Sequence, residues 1–296
     1  MSSAFVTGEV SINGNAVGGV AEYNFASVDG EFRPLADGSP DPGFAGILDN
    51  DSRAMFSSYD IKSWLTYALF NGLPLATGGL VAYARPVTGG AIRAAAGSQK
   101  FTIATGVMVP RRLSAAQGQN AQIDMEVIGF TSDGTTPIAV ASSSDAFLAP
   151  TQNLAWTLGP AYLNGTLLAD LQSIELDYGL TVDVVKADGL IFAKDAGITS
   201  RLPVINVQTL SPAIASTILA GGLPATQFDF YLRKVTLGGG GTVAGASTVH
   251  IKCAVDVAMV RGLTVGGRRS ATGFQVVPYY GGSAAQIVLS VDQALP

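Results

Sequence analysis

The sequence predicts a mainly β protein, built as two tandem antiparallel β-sandwich domains that each carry one flanking α-helix. Three observations lead to this fold class. Apolar and polar residues alternate along several segments, which is the pattern of half-buried strands. Short motifs recur in the same order about 150 residues apart. One amphipathic helical stripe precedes a Gly-Leu-Pro motif in each copy.

Three segments show the strand alternation most clearly. Every second residue is apolar from Ile174 to Val182, from Val249 to Val257 and from Ile123 to Val127. The last of these runs towards a turn at Ser132-Asp133-Gly134. Antiparallel strands with one buried face, together with a helix, are typical of a sandwich with a helix on its flank.

The internal repeat consists of four short matches in one order. At a spacing of 150 or 151 residues, Asn71–Leu75 matches Gly221–Ala225, Val107–Val109 matches Ala258–Val260, and Gly46-Ile47 matches Gly197-Ile198. Val28-Asp29-Gly30 matches Ala187-Asp188-Gly189 at a spacing of 159. The change from 159 to 151 predicts about eight extra residues in the first copy, between Gly30 and Gly46.

Each copy has one predicted helix at the same place. In the first copy Ser58 is the predicted N-cap and Asn71-Gly72 ends the helix. Its apolar stripe is Ile61, Trp64, Leu65, Ala68 and Leu69. In the second copy Ser211-Pro212 begins the helix and Gly221-Gly222 ends it. The stripe there is Ile214, Ala215, Ile218 and Leu219.

The repeat divides the chain into a first sandwich over residues 1–148 and a second over residues 165–296. Residues 149–164 are the predicted linker, because they hold Pro150, Gly159, Pro160 and Asn164-Gly165.

Composition favours an assembling protein over an enzyme. Charged residues are 13% of the chain, against about 25% in an average soluble domain. So few charges suggest that much of the surface is buried in a large interface between subunits. One cysteine, Cys253, and one histidine, His250, exclude a disulfide framework within the chain and a cysteine-rich or multi-histidine metal site. We expect no catalytic residue, no metal and no cofactor.

His250 and Cys253 were the only basis for a Cys-His pair. On a regular strand, positions 250 and 253 point to opposite faces, so that pair is not expected. His250 is interpreted as a solvated or interface residue.

The N-terminus has no signal-peptide pattern, and no run of about 20 apolar residues suggests a membrane helix. We therefore expect synthesis in the cytoplasm and no membrane partner. The net charge of −5 does not suggest binding to nucleic acid through its phosphates.

Charged residues in one predicted loop and in two basic pairs are the candidates for contacts between subunits. The loop spans residues 29–53 and is interpreted as an arm that contacts a neighbouring subunit, because long loops in compact domains are commonly functional. The candidates are Asp29, Glu31, Arg33, Asp37, Asp41, Asp49, Asp51, Arg111, Arg112, Arg268 and Arg269.

The stretch from Arg111 to Asn120, followed by Ala121 to Val140 with its turn at Ser132–Pro137, resembles the two C-terminal strands of the tail tube proteins of long-tailed bacteriophages. The second copy follows the pattern from Arg261 through Tyr280 to Pro296. The resemblance implies a β-sandwich with a flanking helix, no catalytic site, and a place in the virion tail after synthesis in the host cytoplasm. It also implies stacked rings, trimeric and pseudo-sixfold for a duplicated chain, with other tail proteins at the tube ends.

DNA would cross the lumen of such a tube without specific binding, so a neutral or acidic lumen is expected. Two other interpretations stay open from the sequence. One is another virion component, such as a tail-hub or capsid decoration protein. The other is a carbohydrate-binding or carbohydrate-active β-sandwich, which would usually carry clustered exposed aromatic residues and a pair of carboxylates.

Overall fold

The computed structural model describes residues 5–32, 46–67, 73–75, 78–86, 95–148, 155–187, 189–211, 223–235, 250–266, 271–282 and 286–295. Over these ranges the chain is mainly β, with large antiparallel sheets, which confirms the prediction of a mainly β protein with antiparallel strands. The elements of the first half are β1 Phe5–Ile12, β2 Asn15–Val17, β3 Val20–Phe32, β4 Gly46–Ser58, α1 Ile61–Tyr67, β5 Leu73–Pro74, β6 Leu80–Pro86, β7 Ser98–Ile103, β8 Gly106–Ala116, β9 Gln122–Gly129 and β10 Ile138–Ser143.

The strands of the second half are β11 Ala155–Leu163, β12 Thr166–Leu167, β13 Leu171–Asp177, β14 Leu180–Val185, β15 Asp195–Arg201, β16 Val204–Thr209, β17 Leu223–Val235, β18 His250–Gly266, β19 Ala271–Pro278 and β20 Val288–Gln293. The predicted second helix, with its stripe from Ile214 to Leu219, lies outside the described residues.

Two sheets of the first half enclose one core. One sheet has the order β10-β7-β6-β1-β2, and the other has the order β3-β4-β9-β8. The alternation in β9 is as predicted, because Ile123, Met125 and Val127 are buried. Helix α1 adds Ile61 and Trp64 to the core, both fully buried.

The cap of α1 differs from the predicted one. Helix α1 begins after Asp60, whose carboxylate accepts a hydrogen bond from Ser63 Oγ at 2.9 Å. Ser58, the predicted N-cap, instead accepts from the Asp60 N–H through its hydroxyl at 3.1 Å. The cap position is therefore two residues later than the sequence suggested.

The second half repeats the order of strand pairing of the first. Its strands run β20-β18-β17-β11-β12 in one sheet and β13-β16-β19-β18 in the other. Strand β18 belongs to both sheets: its first part pairs with β17 and β20, and its last part pairs with β19. The first half uses two strands, β7 and β8, for the same path.

Interruptions of the pairing also fall at matching places. Bulges between Val20 and Glu22 and between Gly30 and Glu31 recur, at a spacing of 151, between Leu171 and Ser173 and between Thr181 and Val182. The spacing is 151 on both strands of this hairpin. The predicted insertion of eight residues between Gly30 and Gly46 is therefore wrong, and so is the match at a spacing of 159.

Two further sequence assignments need correction. Residues 155–163, placed in the predicted linker, form β11. Their glycine and proline, Gly159 and Pro160, occupy a bulge of this strand between Leu158 and Ala161. Leu73 pairs with Met108 and Leu223 pairs with Val260, so strand pairing aligns Met108 with Val260 and not with Met259.

The two halves meet through a strand pair. β8 pairs antiparallel with β13, with Leu113 opposite Leu176 and Arg112 opposite Asp177. This seam, the β8–β13 pairing, makes one continuous sheet in the order β3-β4-β9-β8-β13-β16-β19-β18.

Candidate assembly interface

The structure separates the candidate contact residues into four groups. Asp29 and Glu31 lie on β3, Asp49 and Asp51 lie on β4, Arg111 and Arg112 lie on β8, and Arg33, Asp37, Asp41, Arg268 and Arg269 lie outside the described residues. The prediction of a long loop over residues 29–53 is wrong for both ends of that segment. These ends belong to β3 and β4, which form one hairpin. The loop was predicted from the supposed insertion and from the prolines and glycines of this segment, although the residues at its two ends form β3 and β4.

Arg111 and Arg112 lie at the seam between the two halves, inside one chain. Arg112 Nη2 is 2.8 Å from Asp124 Oδ2 on β9, and its Nη1 is 3.9 Å from Glu175 Oε2 on β13. Arg111 Nη1 donates to the carbonyl oxygen of Leu180 at 2.6 Å. Both arginines therefore link first-half to second-half strands.

The polar face of the continuous sheet carries paired charges in the first half. Glu126 is almost fully buried, and it accepts from Arg53 Nη1 at 2.9 Å and from Arg111 Nε at 2.6 Å. Two guanidinium groups thus offset the desolvation of one carboxylate. Asp51 adds a second partner for Arg53 at 3.2 Å.

In the second half the same face is mostly uncharged. A shallow groove of about 760 Å³ crosses β13, β16, β19 and the end of β18. Its polar lining is largely amide and hydroxyl groups, and Gln275 Nε2 donates to Asn206 Oδ1 at 3.0 Å. Glu175 is the charged residue that lines it.

Among the described strands, both outer edges of the continuous sheet have no neighbour over part of their length. β3 ends the strand order on one side. On the other side, residues 261–266 of β18 pair with β19 alone among the described strands. An open strand edge presents unpaired N–H and C=O groups, which makes it a template for another chain.

Equivalent residues at the seam and at the open edge differ in exposure. Strand pairing aligns Leu113 of β8 with Val265 of β18, since Leu113 lies opposite Ile123 and Val265 lies opposite Thr272 in the equivalent strand. Leu113, on the strand beside β13, is 1% exposed, whereas Val265 is 58% exposed. The sequence alone did not reveal this, because exposure depends on which distant strand lies alongside.

His250 is fully buried, so its interpretation as a solvated residue is wrong. Its Nδ1 accepts a hydrogen bond from the Lys234 N–H at 3.3 Å, which ties β18 to β17. Cys253 is buried as well, and burial raises the pKa of its thiol. Neither group is exposed for chemistry on a solute.

Among the described residues, no three His, Cys, Asp or Glu side chains cluster as metal ligands would. None of the helical segments described is long and apolar enough to cross a lipid bilayer. Comparison of the sequence with models of known protein families finds no match, and comparison with curated proteins finds none either.

Proposed function

We propose that the protein is a non-enzymatic structural subunit of a bacteriophage tail tube. Each chain is a tandem pair of β-sandwiches, and copies of the chain join edge to edge into closed rings. The observation that carries the proposal is the seam between β8 and β13. The chain has the same two edges a second time, open, at the opposite ends of its continuous sheet.

The equivalence of strands identifies the partners at the proposed joint. β13 corresponds to β3 at a spacing of 151, and β8 corresponds to the end of β18 at a spacing of 152. The pairing of β8 with β13 inside the chain is therefore the template for pairing of β18 with β3 of the next copy. Transferred residue by residue, the register places Val265 opposite Phe25 and Thr264 opposite Ala26 of that copy.

Ring closure follows from using one geometry twice. If the joint between chains repeats the joint within a chain, each chain contributes two equal steps of rotation. Three chains then supply six equivalent sandwiches, which gives a trimeric ring with pseudo-sixfold symmetry. Stacked rings form the tube, other tail proteins bind its ends, and the site of action is the virion tail.

The polar face of the continuous sheet suits a DNA channel. Three arginines in the first-half part of the face, Arg53, Arg111 and Arg112, have carboxylate partners, and the second-half part carries the exposed Arg261 among mostly neutral side chains. Phosphate binding needs cations whose charge is available, so DNA passes such a face without adhering. We therefore place this face towards the lumen.

Cysteine cross-linking tests the joint directly. One preparation carries Ala26→Cys, a second carries Thr264→Cys, and the two are mixed under mild oxidation. A disulfide-linked dimer is expected in the mixture alone, since the two positions belong to different copies. The native thiol, Cys253, is buried and does not compete. The control replaces Thr264→Cys by Val140→Cys, an exposed position on β10.

Negative-stain microscopy of the same protein tests the assembled form. Long hollow tubes are the expected result. Small closed oligomers or monomers would instead favour a tail-hub, capsid decoration or carbohydrate-binding protein. Tubes that form without the Ala26–Thr264 cross-link would rule out the proposed joint.

A further inference from the structure

A second contact joins the two halves of the chain, at the tip of the β14–β15 hairpin. Asn50 donates its N–H to the carbonyl oxygen of Ile191 at 2.9 Å, and Thr131 donates to that of Ala193 at 3.0 Å. Lys186 Nζ lies 2.7 Å from Asp51 Oδ1. The tip of the second-half hairpin thus covers the start of the first-half strand β4 and the turn after β9.

The packing under this tip is close. A Cβ atom added to Gly134 would lie 2.2 Å from Leu190 Cδ1, so no side chain fits between the turn and the tip. Partial burial of the Lys186 ammonium lowers its pKa.

The second half has an equivalent surface, and the described side chains on it are exposed. Asp51 corresponds to Leu202 at the spacing of 151. Val127 lies opposite Met108 and Val276 lies opposite Val260, so β9 corresponds to β19 at a spacing of 149. Phe130 and Thr131 therefore correspond to Tyr279 and Tyr280. Backbone hydrogen bonds support the match. The Tyr279 N–H donates to the carbonyl oxygen of Val257, and the Phe130 N–H donates to that of Thr105, both at 3.1 Å. Leu202 is 74% exposed, Tyr280 65% and Tyr279 41%.

We propose that this apolar patch, Leu202 with Tyr279 and Tyr280, is a second contact with the next copy of the chain. The occupant is the connection between β3 and β4 of that copy, residues 33–45. The inference rests on the proposed ring, because that ring sets the copy whose β3 pairs with β18 beside this patch. The contact within the chain is its template.

Residue types at the equivalent positions fit an apolar version of the contact. Counting 151 back from Lys186 gives Leu35, and counting 151 on from Asp51 gives Leu202. The ion pair within the chain therefore corresponds to a leucine pair between chains. The carbonyls of Ile191 and Ala193 correspond to those of Pro40 and Pro42, and proline keeps its carbonyl acceptor.

A charge exchange provides the test. Leu202→Asp should raise the concentration needed for assembly by about tenfold or more, since it places a carboxylate against an apolar partner. Leu35→Lys should weaken assembly in the same way. The double variant Leu35→Lys with Leu202→Asp recreates the Lys186–Asp51 pair and should recover most of the loss. Sedimentation across a concentration series measures each effect.

Matched controls distinguish loss of this contact from loss of folding or of ring formation. Val140→Asp changes a similarly exposed apolar residue on β10, and it should leave assembly unchanged. Thermal unfolding at a concentration below assembly should show equal midpoints for all variants, because Leu202 lies mostly in solvent. Each variant is also scored for the Ala26–Thr264 cross-link.

The outcomes separate the two proposals. Normal assembly of Leu202→Asp, with the cross-link intact, overturns the second contact and leaves the ring. Weakening without recovery in the double variant also overturns it, because another segment then covers the patch. Absence of the cross-link and of tubes in the unmodified protein overturns the ring, and the second contact with it.

Discussion

Leu113 and Val265 occupy equivalent positions in the two halves of the chain, yet one is buried and the other is mostly exposed. The difference comes from the neighbouring strand: β13 lies beside β8, whereas β18 has no strand beyond its last residues in the described part of the chain. The same strand edge is paired in the first half and has no described neighbour in the second half. The paired edge therefore indicates which strand would complete the other one. Strand β3 of another copy, which is equivalent to β13, is the simplest partner.

The largest expected effect tests this pair of positions. Leu113→Asp would bury a carboxylate with no cation beside it, at a cost of about 4 kcal/mol or more, and should leave little folded protein. Val265→Asp should fold with an unchanged midpoint, because its side chain is solvated in the single chain, but should fail to assemble. Circular dichroism and sedimentation measure the two. Normal tubes from Val265→Asp would show that its edge stays exposed in the assembly.

The halves also differ at a buried cation. Arg85 is fully buried. Its guanidinium lies 2.8 Å from Glu9 Oε2, 3.1 Å from Ser98 Oγ and 2.9 Å from the carbonyl oxygen of Asp145. Arg233 holds the equivalent place in β17, opposite β11, where Pro160 stands in the position of Glu9. Arg233 is partly exposed. Pro160 offers no carboxylate at this place, so the buried pair of Arg85 with Glu9 is a feature of the first half.

Arginine removal should therefore be unequal in the two halves. Arg85→Ala leaves Glu9 buried without its cation and should cost about 3–5 kcal/mol of unfolding free energy. Arg233→Ala should cost roughly 1 kcal/mol or less, as a partly exposed arginine does. Urea unfolding measures both. A control pairs Arg85→Met with Glu9→Met, which removes both charges and should recover much of the loss. Equal costs for the two arginines would mean that the cluster does not stabilise the first half specifically.

Local pattern in the sequence was enough for the mainly β class, for strands with clean alternation such as β9, and for the place of α1. It was insufficient where the decisive contact is distant. Gly159 and Pro160 suggested a linker, but a bulge in a strand tolerates the same residues. A Cβ at Gly159 would lie 2.6 Å from the carbonyl oxygen of Tyr231, so close approach of β17 requires the glycine.

The seam itself could not be predicted from either half alone. Pairing of β8 with β13 joins residues about 60 positions apart, and nothing in the alternation of one strand specifies its neighbour in the sheet. The basic pair Arg111-Arg112 was recognised as a contact residue pair, but its partners turned out to include Glu175 and the Leu180 carbonyl of the same chain. A contact between halves and a contact between chains look alike in sequence.

The smallest expected effect concerns a feature that the halves share. Asn13-Gly14 and Asn164-Gly165 form the same hairpin turn, with φ of 80° at Gly14 and 74° at Gly165. A Cβ atom at either glycine would meet nothing within 4 Å, so substitution is opposed by backbone strain and not by a clash. Gly14→Ala and Gly165→Ala should therefore lower the free energy of unfolding by similar amounts, each about 1 kcal/mol.

Gly197→Ala is the matched control. Gly197 also has open space around it, but it lies in β15 without a positive φ, so this variant should be neutral or slightly stabilising. Urea unfolding at fixed pH measures all three. A clear inequality between the first two would mean that one of the hairpins is already frayed in the folded chain, and that the two halves are equivalent in pairing order but not in local stability.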